Sequence, residues 1–200
     1  MFYIYELGSK QRSTIAQTIT QDFMPNFDAY TWWSDEPYRI PPLAFTVDRE
    51  KVLLDCYRWP GGIELCSEKL IAIYKQFQVH MDISPVSIYY SDNHEEIFGK
   101  YQAFRPLNFL DGLDSEKTEY ARYRSPVRTP DFTKPRKLVM SKAILSDPPA
   151  LFRLKEHRSL IIVHTLLKEA IDKNGITGIN FIPLEEFILE LSGFEVIRDS

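Results

Sequence analysis

Two short amphipathic stripes, each flanked by runs that favour strands, constrain the fold of this chain more than any other feature. The first stripe follows Ser67, a residue type that often caps helix N-termini. Its apolar residues recur at the i, i+1, i+4, i+7 spacing of one helix face: Leu70, Ile71, Tyr74 and Phe77. Strand-favouring runs lie on either side, at 63–65 and 86–90. The pattern predicts a strand-helix-strand unit over residues 63–90.

A second unit of the same kind is predicted over residues 160–182. A strand-like run ends just before Thr165, which we predict to cap a helix, and Asn174-Gly175 ends that helix. The apolar stripe consists of Leu166, Leu167, Ala170 and Ile171. Residues 179–182 then return as a strand, and such a unit can place two parallel strands side by side.

The fold class predicted from these patterns is α+β. We expect residues 1–200 to form a single compact domain, because one core commonly serves chains of up to ~250 residues. This domain would contain a mixed sheet with two strand-helix-strand units (63–90 and 160–182) and an ordered aromatic N-terminal loop. Of the residues, 44% are hydrophobic, enough to bury a substantial core.

The ordered loop is predicted at residues 22–42. Aromatic and acidic residues are mixed there with several prolines, and neither a strand nor a helix period holds. Aromatic side chains commonly anchor interfaces, and carboxylates steer basic partners. We therefore predict a partner-binding site made of Asp28, Tyr30, Trp32, Trp33, Asp35, Glu36 and Tyr38.

The two consecutive tryptophans leave a second interpretation open. Neighbours in an extended segment point to opposite sides, so at most one of Trp32 and Trp33 is easily buried beneath the loop. The segment could thus plug the core or form an interface.

Charge is distributed unevenly along the chain. The formal net charge is -4, and residues 1–100 carry 9 basic and 14 acidic side chains. This balance disfavours nucleic acid as a partner and points to a basic partner for the first half. Residues 117–142 are instead basic with interleaved aromatics, which keeps phosphate contacts and base stacking as an alternative to the solvated loop we expect there.

Sequence motifs for catalysis or cofactor binding are missing. No P-loop, GxGxxG, GxSxG or HExxH pattern occurs, so we predict no catalytic residue, no metal and no cofactor. The alternative is an uncharacterised hydrolase-like enzyme with a cleft containing His94, Glu95 or Glu96. His164 precedes a helix start, where the positive end of the helix dipole disfavours its protonated form.

Two further features bear on the compartment. Cys56 and Cys66 lie in strand-like apolar surroundings without a CxxC pair, and we interpret them as reduced core thiols. No run approaches the ~18–20 apolar residues of a membrane span, and the N-terminus lacks a basic leader region. We expect a cytoplasmic protein without a membrane partner, and the sequence leaves its oligomeric state open.

Three motifs follow one another in a recognisable order. A leucine-asparagine…aspartate strand lies within 101–120, a phenylalanine-arginine strand within 150–155, and a helix-glycine-strand-proline unit within 160–184. In this order they resemble a family of small immunity proteins of bacterial polymorphic toxin systems, formerly catalogued as a domain of unknown function. The resemblance covers roughly residues 60–185 and leaves the aromatic segment outside it.

The resemblance implies a binding protein rather than an enzyme. Such a protein neutralises a cognate bacterial toxin by direct contact, often by covering the toxin's active site. The implied partner is a toxin protein, and the acidic first half of this chain suggests that the toxin surface is basic.

Overall fold

The computed structural model describes nine segments of the chain. They are residues 1–7, 43–47, 49, 54–58, 64–97, 101–124, 132–158, 160–188 and 195–197. No helix within these segments is long and apolar enough to cross a membrane.

Strands dominate the described residues. Thirteen strands occur beside three α-helices of at most nine residues. The strands are β1 (Phe2–Leu7), β2 (Leu43–Val47), β3 (Cys56–Arg58), β4 (Glu64–Ser67), β5 (Met81–Tyr90), β6 (Tyr101–Pro106), β7 (Phe109–Leu110), β8 (Glu119–Arg124), β9 (Phe132–Lys137), β10 (Leu151–Leu154), β11 (Ile161–His164), β12 (Ile179–Pro183) and β13 (Glu195–Ile197). The helices are α1 (Glu68–Gln76), α2 (Lys142–Ser146) and α3 (Thr165–Lys173), and a 3-10 turn covers Leu184–Glu186.

The strands form three sheets. The first has the order β12-β1-β11-β10-β7, and the second has the order β2-β5-β6-β4-β3. Each contains one parallel pair, β10 with β7 and β2 with β5, and is otherwise antiparallel. The third is an antiparallel sheet of β13, β8 and β9.

The predicted α+β fold with two strand-helix-strand units is wrong. The molecule is mostly β-sheet, and the strands that flank each helix do not pair with one another. Strand β6 lies between β4 and β5 and is antiparallel to both, and β1 lies in the same way between β11 and β12. The local pattern of each unit cannot reveal this, because the inserted strand comes from elsewhere in the chain.

The two longer helices begin with a side-chain cap. In α1 the Ser67 hydroxyl accepts a hydrogen bond from the Leu70 backbone N–H at 3.2 Å. The cap of α3 is His164 rather than the predicted Thr165, with its Nδ1 3.5 Å from the Leu166 nitrogen. Leu166, predicted in the apolar stripe, is 59% exposed, because the buried side of this short helix runs through Leu167 and Ile171.

Both helices contribute to a central core that also draws on the two five-stranded sheets. Its buried residues are Tyr5, Cys56, Cys66, Leu70, Ile71, Ile73, Tyr74, Val79, Phe104, Leu151, Ile161, Val163, Leu167 and Ile171. The opposite face of the first sheet buries Phe2, Ile4 and Phe152 in a second cluster. The opposite face of the second sheet buries Phe45 and Leu65 in a third cluster. Because side chains alternate along a strand, both sheets are apolar on both faces.

A polar junction joins β3 to the loop that follows α3. The Thr177 backbone N–H and hydroxyl donate to Asp55 Oδ2 at 2.9 and 3.0 Å, and the Ser67 hydroxyl donates to Asp55 Oδ1 at 2.8 Å. The next residue, Gly178, has a φ of +99°, and a Cβ there would overlap the backbone carbonyl oxygen of Cys56. The close approach of these two backbones therefore requires glycine.

We expect Gly178→Ala to destabilise the protein by roughly 2–3 kcal/mol, because it adds a backbone clash to a strained φ. Gly175→Ala is the matched control: φ there is +60°, but nothing lies within 4 Å of the added Cβ. The control should lose only about 1 kcal/mol for the left-handed conformation. Urea unfolding of both variants measures the difference, and equal losses would show that Gly178 is not needed for the close approach.

Candidate functional site

The predicted partner-binding residues lie outside the described residues. This applies to the whole set: Asp28, Tyr30, Trp32, Trp33, Asp35, Glu36 and Tyr38. Their chain neighbour on the C-terminal side is β2, which begins at Leu43 and is an edge strand of the second sheet among the described strands. Parallel pairing places Leu43 opposite Val86 and Val47 opposite Tyr90.

An exposed charged turn follows β5, at the end of that pairing. The Arg49 guanidinium donates to Asp92 Oδ2 at 3.1 Å and to Glu95 Oε2 at 2.9 Å. Its Cζ also lies 3.9 Å from the centroid of the Tyr90 ring. One arginine thus holds two carboxylates and one aromatic ring in a fixed arrangement on the surface.

The electrostatics of this turn disfavour Glu95 as a general acid at neutral pH. Hydrogen bonds from Arg49 lower the pKa of both Asp92 and Glu95, whereas a general acid at neutral pH needs a raised carboxyl pKa. His94 is exposed at a φ of +54°, and its backbone N–H donates to the Tyr90 carbonyl at 3.0 Å. The turn is therefore built as a fixed set of charges.

His164 has a structural role at the start of α3. Besides capping the helix, its ring makes an edge contact with Phe2 at a centroid distance of 5.4 Å. Burial lowers its pKa, and the positive N-terminal amine lowers it further. The lowered pKa fits the expected neutral form of His164, and burial is its largest cause.

Three further carboxylates at the surface are paired with cations. Asp111 pairs with Lys155 at 2.9 Å, and Asp114 pairs with Lys117 at 3.1 Å. Asp82 pairs with the buried Arg105 at 3.3 Å. These pairs lie at separate places, and none of the three carboxylates belongs to a described group of three candidate metal ligands.

The basic stretch 117–142 contains strands where a solvated loop was expected. Strands β8 and β9 flank residues 125–131, which lie outside the described residues. Along β8 the side chains alternate, with Ala121 and Tyr123 buried and Tyr120, Arg122 and Arg124 exposed. Tyr120, Arg122 and Arg124 therefore share one outward face, whereas Tyr123 faces the interior.

A buried polar cluster within the central core was missed by sequence reasoning. Cys56 and Cys66 are free thiols whose Sγ atoms lie 3.8 Å apart, and the Tyr5 hydroxyl is 2.9 Å from Cys56 Sγ. The ligand atoms of Cys56, Glu64 and Cys66 all lie within 4.8 Å of one another, and all three residues are buried. Burial raises the pKa of Cys66, and Cys56 and Glu64 add to that rise. The signal available in sequence was the equal distance of both cysteines from Gly61, within the turn-favouring sequence Pro60-Gly61-Gly62.

The motifs that carry the family resemblance meet in the first sheet. Strands β7 and β10 pair in parallel, with Phe109 opposite Arg153. The Arg153 backbone N–H donates to the Asn108 carbonyl at 2.8 Å, and the Arg153 Cζ lies 5.6 Å from the centroid of the Phe109 ring. The motifs thus contribute to the core, which explains why they do not point to a reactive group.

Comparison with known proteins identifies the class as an immunity protein. The chain belongs to the immunity protein family Imm11, whose family model matches residues 8–186. This confirms the resemblance and extends it, because the match includes the acidic aromatic segment. A search of curated proteins found no match.

The ion pairs of Arg49 with Asp92 and Glu95 can be tested by mutation. We expect Arg49→Gln to raise the pKa of Asp92 and Glu95 towards ordinary values, as measured by NMR titration of their side-chain carboxyl groups. Depressed carboxyl pKa values stabilise the fold at neutral pH, and that contribution is lost as the pH falls through them. The small stability difference between Arg49→Gln and the unchanged protein should therefore vanish in acid.

Lys117→Gln is the matched control for this titration. It should raise the pKa of Asp114, which Lys117 lowers by a hydrogen bond, and leave Asp92 and Glu95 unchanged. If Arg49→Gln leaves both carboxyl pKa values in place, the ion pairs do not form in solution.

Proposed function

We propose that this protein neutralises a cognate bacterial toxin by direct protein contact and has no catalytic activity of its own. Membership of the immunity family over residues 8–186 is the observation that carries this proposal. The toxin would be the product of a polymorphic toxin system, and protection would take place in the cytoplasm of the producing cell.

The electrostatics of the described surface support a binding role. Asp92, Glu95 and Asp114 have depressed pKa values because basic side chains hydrogen-bond to them, so they are ionised at neutral pH. Fixed charges of this kind steer a partner of opposite charge and set its orientation. They are poorly suited to proton transfer at neutral pH.

We propose further that residues 28–38 supply the anchor of the interface. Trp32 or Trp33 would fill a pocket on the toxin, and Asp28, Asp35 and Glu36 would form the charged rim. Tyr38 is five residues before Leu43, so the chain geometry keeps it within about 18 Å of the start of β2. The charged turn around Arg49 lies at the other end of β2, and its carboxylates would extend an acidic surface towards a basic toxin.

Co-expression with a candidate toxin domain, sought in the reading frames next to the one for this chain, tests the function. Cells should survive only when both are made, and the two proteins should co-purify with loss of the toxin's activity in vitro. Release of active toxin when the complex is dissociated would support inhibition by contact. Covalently altered or cleaved toxin would instead indicate an enzyme.

The anchor proposal predicts two kinds of mutant. Truncation of a central tryptophan typically costs about 2–4 kcal/mol of binding free energy. We therefore expect Trp32→Ala or Trp33→Ala to weaken toxin binding by ~30-fold or more, mainly through faster dissociation. Asp35→Asn with Glu36→Gln should flatten the salt dependence of association and leave dissociation nearly unchanged.

Tyr120→Ala is the control for loss of an exposed aromatic side chain, since Tyr120 is 47% exposed on the basic face of β8. It should leave the affinity unchanged when measured by surface plasmon resonance. If Tyr120→Ala weakens binding and both tryptophan variants bind normally, the interface lies on the basic face and the anchor proposal is wrong.

A further inference from the structure

The two thiols and the carboxylate of the buried polar cluster share one face of a β-hairpin. Cys56 and Cys66 are directly opposite each other in the antiparallel pair of β3 and β4. Glu64 precedes Cys66 by two residues in β4, so its side chain leaves the strand on the same side. All three side chains have a relative exposure of 0%.

The spacing of the two sulfur atoms fits a shared metal ion. Zinc binds thiolate sulfur at ~2.3 Å with tetrahedral angles, which separates two sulfur ligands by about 3.8 Å. The observed separation between Cys56 Sγ and Cys66 Sγ is 3.8 Å. A carboxylate oxygen of Glu64 is within 4.8 Å of both sulfur atoms, so the three groups lie close enough to serve as ligands of one ion.

We propose that Cys56, Glu64 and Cys66 bind a structural zinc ion in the central core. Thiolate and carboxylate ligands suit zinc, and these three residues would supply three of the four ligands of its tetrahedral shell. Coordination deprotonates the thiols, so the Tyr5 hydroxyl, 2.9 Å from Cys56 Sγ, is the only possible donor of that hydrogen bond. Such a donor orients a metal ligand and tunes its basicity.

The position of the site defines its role. Strand β3 has only three residues, and the ion would hold it to β4 beneath α1 and beside β1 of the first sheet. Binding to the folded state alone stabilises that state in proportion to the logarithm of the zinc concentration. The site is independent of the proposed toxin contact.

The first test uses the unchanged chain, purified without a metal-binding tag from zinc-supplemented cultures. Elemental analysis should find about one zinc ion per chain. Chelation should lower the melting temperature, and added zinc should restore it. Cobalt exchanged into the site should show thiolate-to-cobalt charge-transfer absorption, which reports sulfur ligation directly.

Variants separate metal binding from general stability. Cys66→Ser and Glu64→Gln should each lose most of the bound zinc, and Cys66→Ser should also weaken the cobalt absorption. Ile161→Val removes one methylene from the same core, where Ile161 is 0% exposed, and should keep the full zinc content at lower stability.

Three results would overturn the site. The first is a folded, unchanged chain that contains little zinc and whose melting temperature does not respond to added zinc. The second is a disulfide between Cys56 and Cys66, and the third is full zinc content in the Cys56→Ser, Cys66→Ser double variant. The measurements on the unchanged chain decide the matter even if every variant fails to fold.

Discussion

The shared burial of two nine-residue helices by two sheets is the constraint on which the rest of the structure depends. Isolated helices this short are marginal in water, so α1 and α3 require packing to form. The central core supplies it from both sides, with Ile161 and Val163 from the first sheet and Cys66 and Phe104 from the second. Each sheet in turn needs the helices to cover one of its apolar faces.

This arrangement explains where the closest backbone contact and the hydrogen bonds of Asp55 occur. Gly178 follows Thr177 and lies against the backbone of Cys56, while Asp55 hydrogen-bonds to both Thr177 and Ser67. One carboxylate thus joins the cap of α1 to the loop after α3. The buried thiols lie next to this junction, so any ion bound there acts where β3, α1 and β1 meet.

Under the proposed function, recognition of a toxin would depend on the arrangement of surface charges. Arg49, Lys117 and Lys155 each engage carboxylates at separate places, which leaves defined charges distributed over the described surface. The chain belongs to an immunity protein family, and under the proposed function these charges would help it to recognise its toxin. Recognition by contact requires shape and charge complementarity instead of a reactive group.

The sequence by itself determined the family, through the order of its motifs. It also determined the two amphipathic helices and the strand character of their neighbours, because caps and residue periods act over a few positions. Ser67 and Asn174-Gly175 bound helices that form at 68–76 and 165–173. Only the tertiary structure decided that β6 and β1 separate the strands of each unit, that His164 caps α3, and that Glu64 joins Cys56 and Cys66 in one cluster. These outcomes depend on pairing between residues as distant as Phe2 and His164. Local periodicity does not indicate which distant strands pair.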